Sequence, residues 1–254
     1  AAGVAAGIKQ SGAPDLAVVV NDGPRMHVAG VFTRNGVQAA PVKWSRHAVS
    51  DGQLQAVVLN SGGANACTGA PGFQDAAATA AHAATALQVP ADNVAVCSTG
   101  LIGVRLPMEA LRAGVTQAAG QLTTDGGTDA ARAIMTTDTR PKEAVADRGT
   151  WRVGGMAKGA GMLAPGLATM LVVLTTDADV DQAVLDVALR EATRVTFDRT
   201  DSDGCMSTND TVLALASGAA GVTPSAAELT EALVEVSAAL ARQLIGDAEG
   251  AAHD

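Results

Sequence analysis

The chain has 254 residues, 17 basic and 26 acidic side chains, a formal charge of −9, 48% apolar residues and only 2% aromatic ones, with no tyrosine. That balance excludes a disordered chain, and it leaves too little positive charge and too few stacking rings for a nucleic-acid partner. The longest apolar runs, 16–20 and 170–174, fall far short of the roughly 20 residues a membrane helix needs, so a soluble fold of one large domain or two small ones is expected, with a core of Ala, Val, Leu and Gly.

In chain order, Val-rich runs bounded by Gly, Asp, Asn or Pro predict strands at 16–20, 27–33, 55–60, 93–97, 151–156, 168–175 and 211–217. Ala-rich apolar periodicity predicts helices at 75–88, 107–120, 180–196 and 225–247. Pro107 stands where a first-turn proline belongs, and Ser225 with Glu228 forms the S-x-x-E pattern of a capping box. The class is therefore α/β or α+β. The stretches 123–128 (TTDGGT) and 140–149 read as surface loops.

The three cysteines, Cys67, Cys97 and Cys205, are odd in number and widely spaced, which suits neither a disulfide framework nor zinc ligation and fits a reducing cytoplasm. His27, His47, His82 and His253 have no metal-ligand spacing, so no metal is expected; His82 and His253 read as solvated surface groups. The opening AAGVAAGIK has neither a charged n-region nor a continuous apolar stretch, so no signal peptide is read there, and the missing initiator Met points to a trimmed start.

Four segments concentrate Gly, Ser and Thr: NSGGANACTG at 60–69, CSTGLIG at 97–103, IMTTDT at 134–139 and KGAGMLAPGLATM at 158–170. Glycines let a backbone approach a ligand and aim N–H groups at it, as an oxyanion requires. Taken singly, each segment reads better as an ordinary tight turn joining strand to helix. The phosphate loop G-x-x-x-x-G-K-[ST], the dinucleotide pattern G-x-G-x-x-G and the hydrolase elbow G-x-S-x-G are all missing. Acyl chemistry on a hydroxyl without a histidine base remains open, because a threonine exposed as a chain N-terminus carries its own base in its α-amine. Thr169, preceded by the small Ala168 and a Gly/Pro-rich loop, fits that role, but read alone it is better taken as an ordinary strand threonine.

Together the segments resemble the ornithine acetyltransferase family of arginine biosynthesis, also called glutamate N-acetyltransferase, whose members self-cleave before a threonine. The motif runs here from Lys158 to Leu171 as KGAGMLAPGLATML. It is flanked in the family's order by AAGVAAGIK, GVFTRN at 30–35, LNSGGANACTG, CSTGLIG, IMTTDT, STNDT at 207–211 and DAEGA at 247–251. The resemblance implies an α-β-β-α sandwich with a smaller second domain, largely missing from this chain. It also implies cleavage between Ala168 and Thr169, giving an α segment over 1–168 and the start of a β segment over 169–254.

Carried over residue by residue, Thr169 would be the nucleophile, Thr99 and Gly100 the oxyanion hole, and Thr137, Lys158, Thr169 and Glu249 the binders of the amino-acid substrate. Acetyl would pass from N-acetylornithine to glutamate through a Thr169 ester. No cofactor is needed, with acetyl-CoA as an alternative donor, and the implied assembly is α2β2 in the cytoplasm, without membrane or nucleic-acid partners. Two alternatives remain: an N-terminal-threonine amidohydrolase, in which water takes the acyl group, and a non-catalytic amino-acid-binding relative that is never cut.

Overall fold

The computed structural model describes residues 1–161 and 170–250. Among the described residues, nine strands form two sheets. The first orders β1 (Ala2–Val4), β2 (Leu16–Val20), β4 (Ala56–Gly63) and β5 (Val94–Leu101); the second orders β3 (His27–Phe32), β9 (Thr211–Ala216), β8 (Leu171–Thr176), β7 (Arg152–Lys158) and β6 (Lys142–Asp147). Each sheet holds one parallel pair whose crossover contains a helix. Strands β4 and β5 are joined through α2 (Gly69–Leu87), and β8 and β9 through α5 (Gln182–Val195). Parallel neighbours need such a crossover to return the chain to the same edge.

The central strands read as continuous apolar runs because both of their faces are covered. In β8, Leu171 and Val173 point into the layer between the sheets, where they meet Val57, Leu59, Ala95 and Leu213. Val172 and Leu174 point outward against Leu185 and Leu189 of α5 and Leu233, Val236 and Leu240 of α6 (Ala226–Ile245). The outer face of the first sheet is covered in the same way by α2 and α3 (Met108–Ala119), through Ala80, Ala83, Leu111 and Val115. The result is a four-layer α-β-β-α sandwich, as the resemblance implies. Small side chains suffice for it because each sheet is contacted on both faces.

The predicted strands at 16–20, 27–33, 55–60, 93–97, 151–156 and 211–217 are present with ends shifted by a few residues, and the Ser225–Glu228 capping box closes in both directions. Four corrections apply. The stretch 123–128 runs into α4 (Gly127–Ala133), whose Ala130, Ala131 and Ala133 are fully buried in the inner layer; the Gly-Gly pair is the entry to a helix. The stretch 140–149 contains β6, and α1 (Ala40–Ala48) and β1 arise where no element was expected. The second helix begins at Gly69, inside a glycine-rich segment, six residues before its Ala-rich periodicity starts. Pro107 takes the N-cap position, one residue outside α3. The strand expected at 168–175 is observed from Leu171; Ala168 and Thr169 lie outside the described residues.

Candidate active site

Strand β5 ends in Ser98, Thr99 and Gly100, and its parallel partner β4 ends in Ser61, Gly62 and Gly63, with a register irregularity at Gly62 and Gly63. Gly100 has φ +129°, and a Cβ placed there would lie 2.4 Å from the Gly62 carbonyl carbon. Only glycine fits both that backbone region and that spacing. The bulged strand end re-aims the backbone of residues 99–101 into a cavity of about 610 Å³ lined by Lys9, Thr99, Gly100, Thr137, Lys158 and Glu249, among others.

Lys158 closes β7. Its side chain is buried at 2% exposure, and its Nζ donates to Thr99 Oγ1 at 3.3 Å. Burial pushes the ammonium down to about 8 and Lys142 adds to that, while the carboxylates of Asp138, Asp210 and Glu249 pull the other way. With Lys158 donating to its oxygen, the Thr99 hydroxyl proton is left to donate elsewhere. An ammonium, a hydroxyl and a glycine backbone therefore converge on one wall. Thr137 and Glu249 are exposed along the same cavity, and the Glu249 N–H donates to Ala160 O at 2.6 Å.

Of the sequence-derived site residues, Thr99, Gly100, Thr137, Lys158 and Glu249 come together; Thr169, the expected nucleophile, and Ala168 lie outside the described residues. The register pairs Lys158 with Leu171, two positions after residue 169. The next residue, Met170, donates its N–H to the buried Asp210 Oδ1 at 3.2 Å. Burial raises the Asp210 carboxyl well above the usual range, against the lowering effects of Met170 N–H, the Ser207 and Thr33 hydroxyls and Lys158.

Sequence reading missed Lys9, Asp138 and Asp210 as individual residues. Each falls inside a quoted segment, where only the three-dimensional structure distinguishes it from a surface charge: Asp138 and Asp210 by burial, and the half-buried Lys9 by its place on the cavity wall. Cys97 is buried, which pushes its thiol up to about 12 and leaves it unreactive; Cys67 and Cys205 are exposed, and all three thiols are free. Among the described residues, no group of three or more His, Cys, Asp or Glu is arranged to hold a metal ion, and no helix is long and apolar enough to cross a membrane.

The family model "ArgJ family" matches residues 1–254, the whole chain. The chain belongs to the ArgJ family. The arginine biosynthesis bifunctional protein ArgJ of Streptomyces coelicolor is 65% identical over 254 residues, covering 100% of this chain and 66% of that protein. The chain thus spans just under two thirds of the length of this curated ArgJ relative. Among solved structures, an ornithine acetyltransferase from Mycobacterium tuberculosis, determined with ornithine bound, matches at 56% identity with a TM-score of 0.64, over 67% of this chain and 91% of that one. An arginine biosynthesis bifunctional protein ArgJ from Bacillus halodurans matches at 38% identity with a TM-score of 0.58, over 67% of this chain and 89% of that one.

Proposed function

We propose that this chain carries the acyl-transfer centre of an arginine-biosynthetic acetyltransferase, moving acetyl from N2-acetylornithine to glutamate through an ester on Thr169. The observation that carries the reading is the buried Lys158 ammonium beside Thr99 and Gly100, in one cavity with Glu249. An α-carboxylate pairs with Lys158, the ornithine side-chain ammonium pairs with Glu249, and Thr137 hydrogen-bonds the acetamide or carboxylate. Glutamate shares the Lys158 contact and has no ammonium on its side chain, so one cavity serves both amino acids in turn.

In the precursor, Thr169 Oγ attacks the Ala168 carbonyl, and the amide bond becomes an ester. That acyl shift frees the Thr169 α-amine, and water then cleaves the ester, giving the Ala168 carboxylate and restoring the Thr169 hydroxyl. In the mature enzyme this amine takes the Oγ proton as Thr169 attacks the acetyl carbonyl of acetylornithine. The Thr99 hydroxyl and the Gly100 N–H stabilise the oxyanion, a donor of this kind contributing about 2.7–4 kcal/mol to the barrier. The proton passes to the departing ornithine amine, and the glutamate α-amine then displaces Thr169 Oγ to give N-acetylglutamate. Acetyl-CoA can load the same ester as an alternative donor. The α and β segments assemble as α2β2 in the cytoplasm.

Denaturing mass spectrometry of the protein from its complete reading frame tests the reading: two polypeptides that meet between Ala168 and Thr169 are expected, with glutamate-dependent release of N-acetylglutamate. Thr169→Ala is expected to remain one chain and to transfer no acetyl. Acetyl transfer retained by Thr169→Ala overturns the nucleophile assignment.

A further inference from the structure

A second set of charges lies behind the cavity wall and does not line it. Lys142, at 0% exposure, donates from Nζ to Asp138 Oδ1 at 2.7 Å and to Asp247 Oδ2 at 2.5 Å. Asp138 Oδ1 also accepts the Gly159 N–H at 2.6 Å, and its Oδ2 accepts the Thr136 N–H at 2.9 Å. Asp247 accepts the Thr139 N–H at 3.0 Å and the Thr139 hydroxyl. Each tie falls within two residues of a cavity side chain. Thr136 and Asp138 flank Thr137, Gly159 follows Lys158, and Asp247 stands two before Glu249.

We propose that Lys142, held between Asp138 and Asp247, is a positioning hub that fixes Thr137, Lys158 and Glu249 relative to one another and sets the preference for a substrate bearing a side-chain ammonium. This deepens the proposed acetyltransferase reading and rests on it. A buried ion-pair network is a poor source of stability, since apolar residues of the same volume serve as well. What it supplies is geometry: three chain segments, distant in sequence, are tied to one ammonium with charge-assisted hydrogen bonds. Asp138 is held ionised for this purpose: its burial, which raises its pKa, is outweighed by Lys158, Lys142 and the amides of Thr136 and Gly159. Asp247 links the hub to the segment bearing Glu249, so its loss leaves that segment held by the Glu249 N–H bond to Ala160 O and keeps the Asp138 ties to Thr136 and Gly159 intact.

The test uses the enzyme from its complete reading frame, as wild type, Asp247→Asn and Thr139→Val, the last leaving the buried ion pairs whole. The KM for acetylornithine is expected to rise about ten-fold in Asp247→Asn, as a misplaced contact residue costs, while that for glutamate changes less than about two-fold and amide hydrogen exchange accelerates at 248–250. Thr139→Val moves in the same direction by less. Unchanged selectivity with unchanged exchange in both variants overturns the hub. So does a proportional rise of both KM values that follows a falling unfolding temperature, which marks a structural role only. A wild-type enzyme without acetyl transfer overturns the underlying reading instead, and exchange at 248–250 still decides whether Asp247 holds the tail.

Discussion

An ammonium taken out of water loses several kcal/mol of hydration even after the protein relaxes around it, and Lys158 is 2% exposed, with the neutral Thr99 hydroxyl at hydrogen-bonding distance among the described residues. Its pKa of about 8 records that loss. Because the folded value lies below the 10.5 of a free lysine, the unfolded chain binds the extra proton between pH 8 and 10.5. Stability therefore rises with pH across that window, by roughly 3 kcal/mol at most from this group. Under the proposed function, activity is expected to move the other way, since the charge that would pair with a substrate carboxylate disappears as pH rises through about 8. Denaturant titrations and KM measurements at pH 7 and 9.5 are expected to show firmer folding and weaker substrate binding at the higher pH. In Lys158→Met both trends should vanish along with tight binding. A site residue that destabilises the fold in its working charge state is the kind of conflict expected at a functional position.

At the scale of elements, α6 owes its start to Ser225, whose Oγ accepts the Glu228 N–H at 3.2 Å while the Glu228 carboxylate accepts the Ser225 N–H at 2.8 Å. This was legible in the sequence because both partners are local. Strand β6 was not, because its pattern is inverted: Lys142 and Ala146 point inward and Val145 is 66% exposed. Alternation of charged and apolar residues marks a strand only when the apolar set faces the core. The buried ion pairs that turn Lys142 inward come from Asp138, four residues away, and Asp247, more than a hundred away. Helix α4 hid for a related reason: its Gly-Thr entry reads as a loop, and Gly3 must lack a Cβ for β1 to pass 2.0 Å from the Asp129 carbonyl oxygen, measured from where that Cβ would sit. The motif residues were legible as types in a family order, whereas their convergence required both sheets. Ser225→Ala removes the cap from α6 and is expected to cost about 1 kcal/mol, seen as a lower thermal midpoint. KM should stay the same, because the far end of the helix delivers Asp247 through its own hydrogen bonds to Thr139 and Lys142.

At the scale of the molecule, the site lies where the two sheets meet, and the Asn209 side chain is one of those that span that meeting. Asn209 precedes β9 in the second sheet, and its Nδ2 donates to Ala64 O at 2.7 Å and to Ser98 O at 2.8 Å, both just beyond or within strands of the first. Ser98 is the residue before Thr99, and its hydroxyl in turn donates to Asn60 Oδ1 at 2.6 Å. Sheet packing alone cannot fix the strand ends this closely, because apolar contacts between layers resist separation far more than they resist sliding. Two directed hydrogen bonds from one amide determine the relative position of the layers at the point where Thr99 and Gly100 emerge. Asn209→Ala leaves two buried carbonyl groups unpaired, at about 1–3 kcal/mol each, so the unfolding free energy should fall by roughly 2–5 kcal/mol. The kinetic signature should be separable from that loss. Under the proposed function, the contacts of Glu249 and Lys158 with substrate would stay intact and KM is expected to hold, while kcat falls because the Thr99 and Gly100 donors would no longer stand where the oxyanion is proposed to form. Steady-state kinetics below the variant's unfolding temperature check this. A KM effect without a kcat effect would mean that the bridge between the sheets serves substrate binding and has no part in setting the oxyanion donors.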